Sequence, residues 1–298
     1  IMAGLAQQTL SRLISQALTY TRQNQLLAEI LPSAILQAHQ LPSLAESITF
    51  LHHPPAATPL DALQSRTHPA WQRIKFDELL AQQLSMRQHY HQRRSHHAPA
   101  LPQHPALQQK LLDLLTFTLT AAQQKVVDEI SRDIAQPFPM QRLLQGDVGS
   151  GKTVVAAIAA LQSIANGHQV AVMAPTEILA EQHLQKFTSW FEPLGIEIAW
   201  LSGSLKKQQR EAALQEIEQG IAGLVVGTHA IFQSPVQFKR LGLVIIDEQH
   251  RFGVNQRLAL RLKGSDDATG VPHQLMMSAT PIPRTLSMSY FADLDVSV

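Results

Sequence analysis

Three glycines, a lysine and a hydroxyl residue are spaced in Gly146-Asp147-Val148-Gly149-Ser150-Gly151-Lys152-Thr153 as G-x-x-x-x-G-K-[ST], which is a phosphate grip. Such a loop turns its backbone N–H groups inward around a chain of phosphates. The spacing directs Lys152 to the terminal phosphates and gives the Thr153 hydroxyl to Mg²⁺. A helix starting at about Lys152 adds its positive end to the same anion. A second cluster, Asp247-Glu248, closes the apolar run Leu243-Val244-Ile245-Ile246. A carboxylate there suits a nucleotide-bound Mg²⁺, a role for Asp247. The neighbouring Glu248 is then placed to orient and activate water as a general base. Strand-end capping is the other role an Asp-Glu pair can have, but the phosphate loop about a hundred residues upstream is an independent signal for the same site.

These groups must be held by strands and helices. The texture from about Thr116 alternates between short apolar runs and amphipathic stretches. Strands are expected at 140–145, 169–174, 196–201, 223–227, 243–247 and 273–278. Helical patterns follow the phosphate loop (Val154 to Ile164) and fill 177–191 and 206–219. Apolar strands alternating with helices predict an α/β fold, a parallel sheet with helices on both faces. Its ligands belong at the carboxyl ends of the strands, where the phosphate loop already lies.

Residues 1–115 read differently, as helices broken by Pro32, Pro42, Pro54, Pro55, Pro59 and Pro69. Leu10, Leu13, Ile14, Ala17 and Leu18 make one helical stripe, and a longer helix is expected from Ala70 to about Arg93. The polar side of that helix, with Arg73, Lys75, Arg87, Arg93 and Arg94, reads as a solvated face or a ridge for DNA. Ser95 to Pro105 reads as a linker, and the histidines within and before it lack a repeated ligand spacing for zinc. The expected division is therefore 1–115, a mainly helical region, and 116–298, the nucleotide-binding sheet.

Bulk properties narrow the class. Residues 1–115 carry nine Lys/Arg against six Asp/Glu, and 116–298 carry fifteen against seventeen. Neither part is a strongly basic nucleic-acid module, so any DNA must be held by local donors. With no cysteine, disulfides and thiolate metal sites are excluded, and no apolar run reaches membrane-spanning length. A cytoplasmic protein without a membrane partner is expected.

Further motifs carry a resemblance. Asp247-Glu248-Gln249-His250 after a buried strand resembles motif II of the superfamily 2 helicases and translocases, and Ser278-Ala279-Thr280 resembles motif III. Ala174-Pro175-Thr176-Glu177 resembles motif Ia, Val226-Gly227-Thr228-His229 motif Ib, and Phe117 to Gln123 the adenine-recognising segment. The strings 247–254, 279–285 and 146–151 are similar to the RecG branch, helicases that remodel stalled forks and Holliday junctions. The resemblance implies a RecA-like motor lobe over 116–298, preceded by the region linking it to a DNA wedge domain. It implies ATP and Mg²⁺ as cofactors and branched or double-stranded DNA as partner, in a monomer acting in recombination and repair.

On that reading Gly146, Asp147, Val148, Gly149, Ser150, Gly151, Lys152 and Thr153 bind ATP, with Gln123 on the base edge. Lys152, Asp247, Glu248, Gln249 and His250 serve hydrolysis, with Thr153 and Asp247 on the metal. Gln249 and His250 link the γ-phosphate to Ser278, Ala279 and Thr280, which couple it to DNA. Pro175, Thr176, Gly227 and Thr228 are the DNA-binding residues, with Thr176, Gly227 and Thr228 meeting the DNA backbone through N–H groups and hydroxyls. Ordinary turn and cap chemistry is the alternative role of Thr176, Gly227 and Thr228. The second RecA-like lobe with its arginine fingers, and the wedge, are expected outside 1–298, leaving this stretch nearly inert alone. The alternatives are a double-stranded DNA translocase like the transcription–repair coupling factor, or a P-loop ATPase that does not act on nucleic acid.

Overall fold

The computed structural model describes residues 6–233, 235–248, 270–279 and 294–298. Packing divides the chain into two compact units, Ile1–Gln88 and His89–Val298.

The first unit contains α1 (Gln7–Gln23), α2 (Ser33–Ala38), α3 (Leu44–His52), α4 (Leu60–Gln64) and most of α5 (Pro69–Arg94). Its prolines start helices: Pro32 and Pro59 cap α2 and α4, and Pro69 opens α5. A fixed φ and a missing N–H cost nothing at those positions. Ser43 and Glu46 form a reciprocal capping box at the start of α3. The α1 stripe is helical as expected, yet Leu10 and Leu13 are 43% and 49% exposed.

One expectation for α5 is overturned. Arg73 lies on no solvated face and no DNA ridge, because its side chain is fully buried. Its guanidinium makes a bidentate pair with Glu29 at 2.8 and 2.9 Å, and donates to both oxygens of Asp77 and to the Pro42 carbonyl. A planar five-donor fork can satisfy that many acceptors where a lysine cannot. The hydrogen bonds from Arg73 pull the Glu29 carboxyl down to about 2. The last turns of α5 belong to the second unit, where Arg93, also buried, pairs with Asp295 at 2.9 Å.

Among the described residues, the second unit is built on seven parallel strands: β1 (Gln141–Gln145), β2 (Gln169–Met173), β3 (Ile198–Leu201), β4 (Leu224–Gly227), β5 (Leu241–Asp247), β6 (His273–Ser278) and β7 (Asp295–Ser297). Their order across the sheet is β3-β4-β2-β5-β6-β1-β7. The period-two pattern splits the core. Val170, Val172, Leu224, Val226, Leu243 and Ile245 point to one face, with α6 (Pro105–Leu114), α7 (Ala121–Ile134), α8 (Lys152–Ala165) and α9 (Glu177–Phe191). Ala171, Met173, Val225, Val244 and Ile246 point to the other, with α10 (Lys207–Gln219). Every residue of β2 is buried, as expected for a parallel strand covered on both sides. The α/β, RecA-like class expected from the sequence is the observed one.

Two parts of this unit differ from the sequence reading. The stretch 95–105 is no free linker: Ala98 and Leu101 are fully buried, and their amides bond the carbonyls of Pro137 and Ile134. The anchor is His273, whose Nδ1 accepts from the Met140 amide at 3.0 Å while Nε2–H donates to the Pro99 carbonyl at 2.7 Å. Burial pushes this imidazole down to about 4, so it stays neutral in one tautomer that serves both partners. The packing boundary falls at 88/89. The second difference is β7, an edge strand on β1 where the sequence reading placed no element. Arg142 of β1 ties it in, donating to Ser297 at 2.7 Å and pairing with Asp133 and Glu129 of α7.

Candidate nucleotide-binding site

Strands β5, β6 and β1 are neighbours, so residues 247, 278 and 146 emerge together at their carboxyl ends. At ~4.8 Å per strand, the Asp247 end lies about 10 Å across the sheet from the start of the phosphate loop. The strand that follows β1 in the chain, β2, lies on one side of it and β7 lies on the other, a reversal of strand order at which ligands of such sheets sit.

The loop begins as the Gly146 amide bonds the Ser278 carbonyl at 3.2 Å, and it turns through a Ser150–Asp147 backbone bond at 3.1 Å. Gly149 and Gly151 adopt φ of 83° and 84°, in the left-handed region. Gly151 is doubly constrained, since a Cβ there would collide with the Gln123 amide. Gln123 itself accepts from Thr120 N–H at 2.9 Å and donates to the Ser150 carbonyl at 2.8 Å. Both ends of its side chain are therefore engaged inside the lobe, and it braces the loop. Lys152 donates to the carbonyls of Gly146 at 2.7 Å and Asp147 at 2.9 Å, which centres its ammonium on the loop. Gly151 caps α8 without a side chain, so the first amides of the helix carry no side-chain cap. Asp147, Val148, Gly149 and Ser150 are exposed at the mouth, with Thr153 half-buried in the first turn of α8.

At the end of β5, the two Asp247 oxygens are held separately. Oδ1 accepts from the Glu248 amide at 3.0 Å, and Oδ2 accepts from His183 Nε2 at 2.7 Å. His183 is 8% exposed, on the buried face of α9 with Ala180, Phe187 and Phe191. Its position on that apolar stripe, at i+3 from Ala180 and i−4 from Phe187, is the signal in the sequence that marks it as inward-facing. Glu248 is held at φ 50°, a conformation that costs a non-glycine residue roughly 1–2 kcal/mol and turns the chain sharply off the strand.

The expected DNA-facing residues do not share one exposure. Thr176 is exposed, and its hydroxyl caps α9 by accepting from the Leu179 amide at 3.4 Å, with Pro175 half-buried beside it. Thr228 is only 3% exposed and its amide bonds the Leu201 carbonyl. Gly227 lies within β4, where a Cβ would run into the same carbonyl, so close strand approach already requires a glycine. Ser202 is buried and bonds Ser204, whose amide donates to Glu177 at the start of α9. Ser278 and Ala279 lie at the end of β6, while Gln249, His250 and Thr280 fall outside the described residues.

A parallel sheet with a glycine-cornered loop on its β1 end and an acidic pair on its β5 end defines a RecA-like, P-loop nucleotide-binding lobe. The model of the DEAD/DEAH box helicase family matches residues 120–289, more than half of the chain. The chain belongs to that family. It is 53% identical over 295 residues to the ATP-dependent DNA helicase RecG of Pasteurella multocida (strain Pm70), covering 99% of this chain and 42% of that one. The RecG of Escherichia coli (strain K12) is 52% identical over the same length and shares. A solved structure of RecG bound to a three-way DNA junction superposes with a TM-score of 0.74 at 37% identity, covering 91% of this chain and 35% of that one. The chain thus spans about two fifths of the length of these curated relatives.

Proposed function

We propose that this chain is the ATP-binding motor lobe, with the region preceding it, of a DNA helicase that remodels branched DNA such as stalled forks and Holliday junctions. The observation that carries this reading is the convergence of the phosphate loop, Asp247-Glu248 and Ser278 on three adjacent strand ends. The extended similarity to RecG helicases supports the choice of DNA as substrate. Under this reading residues 116–298 are the motor lobe and 1–115 the link to the wedge. The second RecA-like lobe and the wedge domain are assigned to the parts of the relatives that the chain does not span. The monomeric state and cytoplasmic location expected from the sequence belong to the same proposal.

The residues fit a magnesium nucleotide. Gly146 to Thr153 cradle the phosphates with backbone amides and Lys152, and Thr153 and Asp247 offer the hard oxygen donors that Mg²⁺ requires. Bound Mg²⁺ supplies neutralisation of charge on the phosphate oxygens. Glu248, turned off the strand by its positive φ, orients the attacking water and takes its proton. Gln123 contributes through its brace on the loop, with the base edge as a further partner. Ser278 is tied to the loop through the Gly146 amide, a short path by which phosphate release reaches the DNA side, and Ala279 and Thr280 carry the same coupling role by sequence. Thr176 and Pro175 present the exposed DNA-facing turn, and Gly227 and Thr228 shape the floor beneath it.

Lys152→Ala in the intact protein tests this. The variant should lose nucleotide-dependent thermal stabilisation and unwinding of a three-way junction while still binding the junction. Unwinding at wild-type rate by the variant would remove the basis of the assignment.

A further inference from the structure

We propose that His183 is a positioning residue of the metal site, holding Asp247 in register and joining it to the DNA-facing turn; this rests on the Mg²⁺ and DNA roles proposed above. An ionised carboxylate can only accept, so the nitrogen 2.7 Å from Asp247 Oδ2 carries the hydrogen. With Oδ1 bonded to the Glu248 amide, the carboxylate is fixed at both oxygens, and each oxygen keeps a lone pair for a cation. Hydrogen bonds of this kind orient metal-binding carboxylates and tune their grip on the ion.

The helix that carries His183 gives the bond a second consequence. Thr176 caps α9, Glu177 in its first turn accepts from the Ser204 amide, and His183 follows about 10 Å along the axis. Phe187 and Phe191, both fully buried, anchor the rest of the helix in the core. A rigid α9 therefore touches the exposed turn at one end and the metal carboxylate two turns later. Phosphate groups of DNA seated on the turn would bias the position of Asp247 through this helix, and the metal would bias the turn in return.

The test compares His183→Gln with His183→Asn in the intact protein. Glutamine reaches with an N–H where Nε2 stood, whereas asparagine is polar but one methylene short. The readouts are the Mg²⁺ concentration that half-saturates binding of a fluorescent ADP analogue, the affinity for that analogue in EDTA, and the shift in Mg²⁺ requirement on adding a three-way junction. His183→Asn should need roughly 10–100-fold more Mg²⁺, with unchanged affinity in EDTA and no junction-induced shift. His183→Gln should recover most of the wild-type behaviour. Wild-type Mg²⁺ dependence in His183→Asn overturns the role of His183 while leaving the nucleotide assignment intact. Failure of the wild-type protein to bind the analogue with Mg²⁺ overturns the nucleotide assignment and this role together.

Discussion

Acid should loosen the nucleotide-binding lobe through His273, and by an amount the structure sets. The imidazole is buried and neutral, accepting from Met140 and donating to Pro99, with its pKa pushed down to about 4 by desolvation. In the unfolded chain the same group titrates near its ordinary value of 6.5. Below pH 6.5 the unfolded state therefore takes up a proton that the folded state refuses until about pH 4. The contribution of His273 is full above pH 6.5 and is lost as pH falls across that window. A shift of this size amounts to about 3 kcal/mol in all, of which about 2 kcal/mol is lost between pH 7.5 and 5. His168, whose pKa is also lowered by burial, adds in the same direction. The perturbation is His273→Gln, which keeps a polar group but no group that titrates. Its stability at pH 7.5 should fall by about 1–3 kcal/mol, because one buried partner is left unsatisfied. Its dependence on pH should then be flatter than wild type by about 2 kcal/mol over the same range. Urea denaturation followed by tryptophan fluorescence reads this, since Trp190 and Trp200 both pack against the core of this lobe. Equal pH slopes in the two proteins would refute the argument.

Two further outcomes follow from the geometry. Gly151→Ala places a side chain at φ 84° and against the Gln123 amide, costing about 2 kcal/mol from backbone strain and the lost brace, so nucleotide affinity measured by titration should drop more than tenfold. Arg73→Met strips Glu29 and Asp77 of their shared cation and should destabilise the first unit by about 3 kcal/mol in thermal or urea melts, with nucleotide affinity unchanged.

The sheet was legible because its strands announce themselves locally. Runs such as 169–173 and 243–247 are apolar on both faces, bounded by turn residues, and end at chemistry. Helix α9 was readable to the residue at both ends, from its Thr176 cap and its apolar spacing. Strand β7 was not legible, since three residues with no run of their own become a strand only by pairing with β1 and by the charges of Arg93 and Arg142. Arg73 looked like surface for the same reason. A lone arginine on a polar helix face carries no sign of the Glu29 that will meet it from another helix.

By itself the sequence determined the nucleotide grip, the acidic pair, the α/β class and the family resemblance, because each depends on residues close together in the chain or on a simple period. Tertiary structure alone decided the partners across the site. It set Gln123 against the Ser150 carbonyl, buried Thr228, drew the 95–105 stretch onto the lobe through His273, and brought His183 to Asp247. Those pairings join residues tens to hundreds of positions apart. Only the packed sheet, by fixing which strand ends are neighbours, selects them from the many that the same residue types would allow.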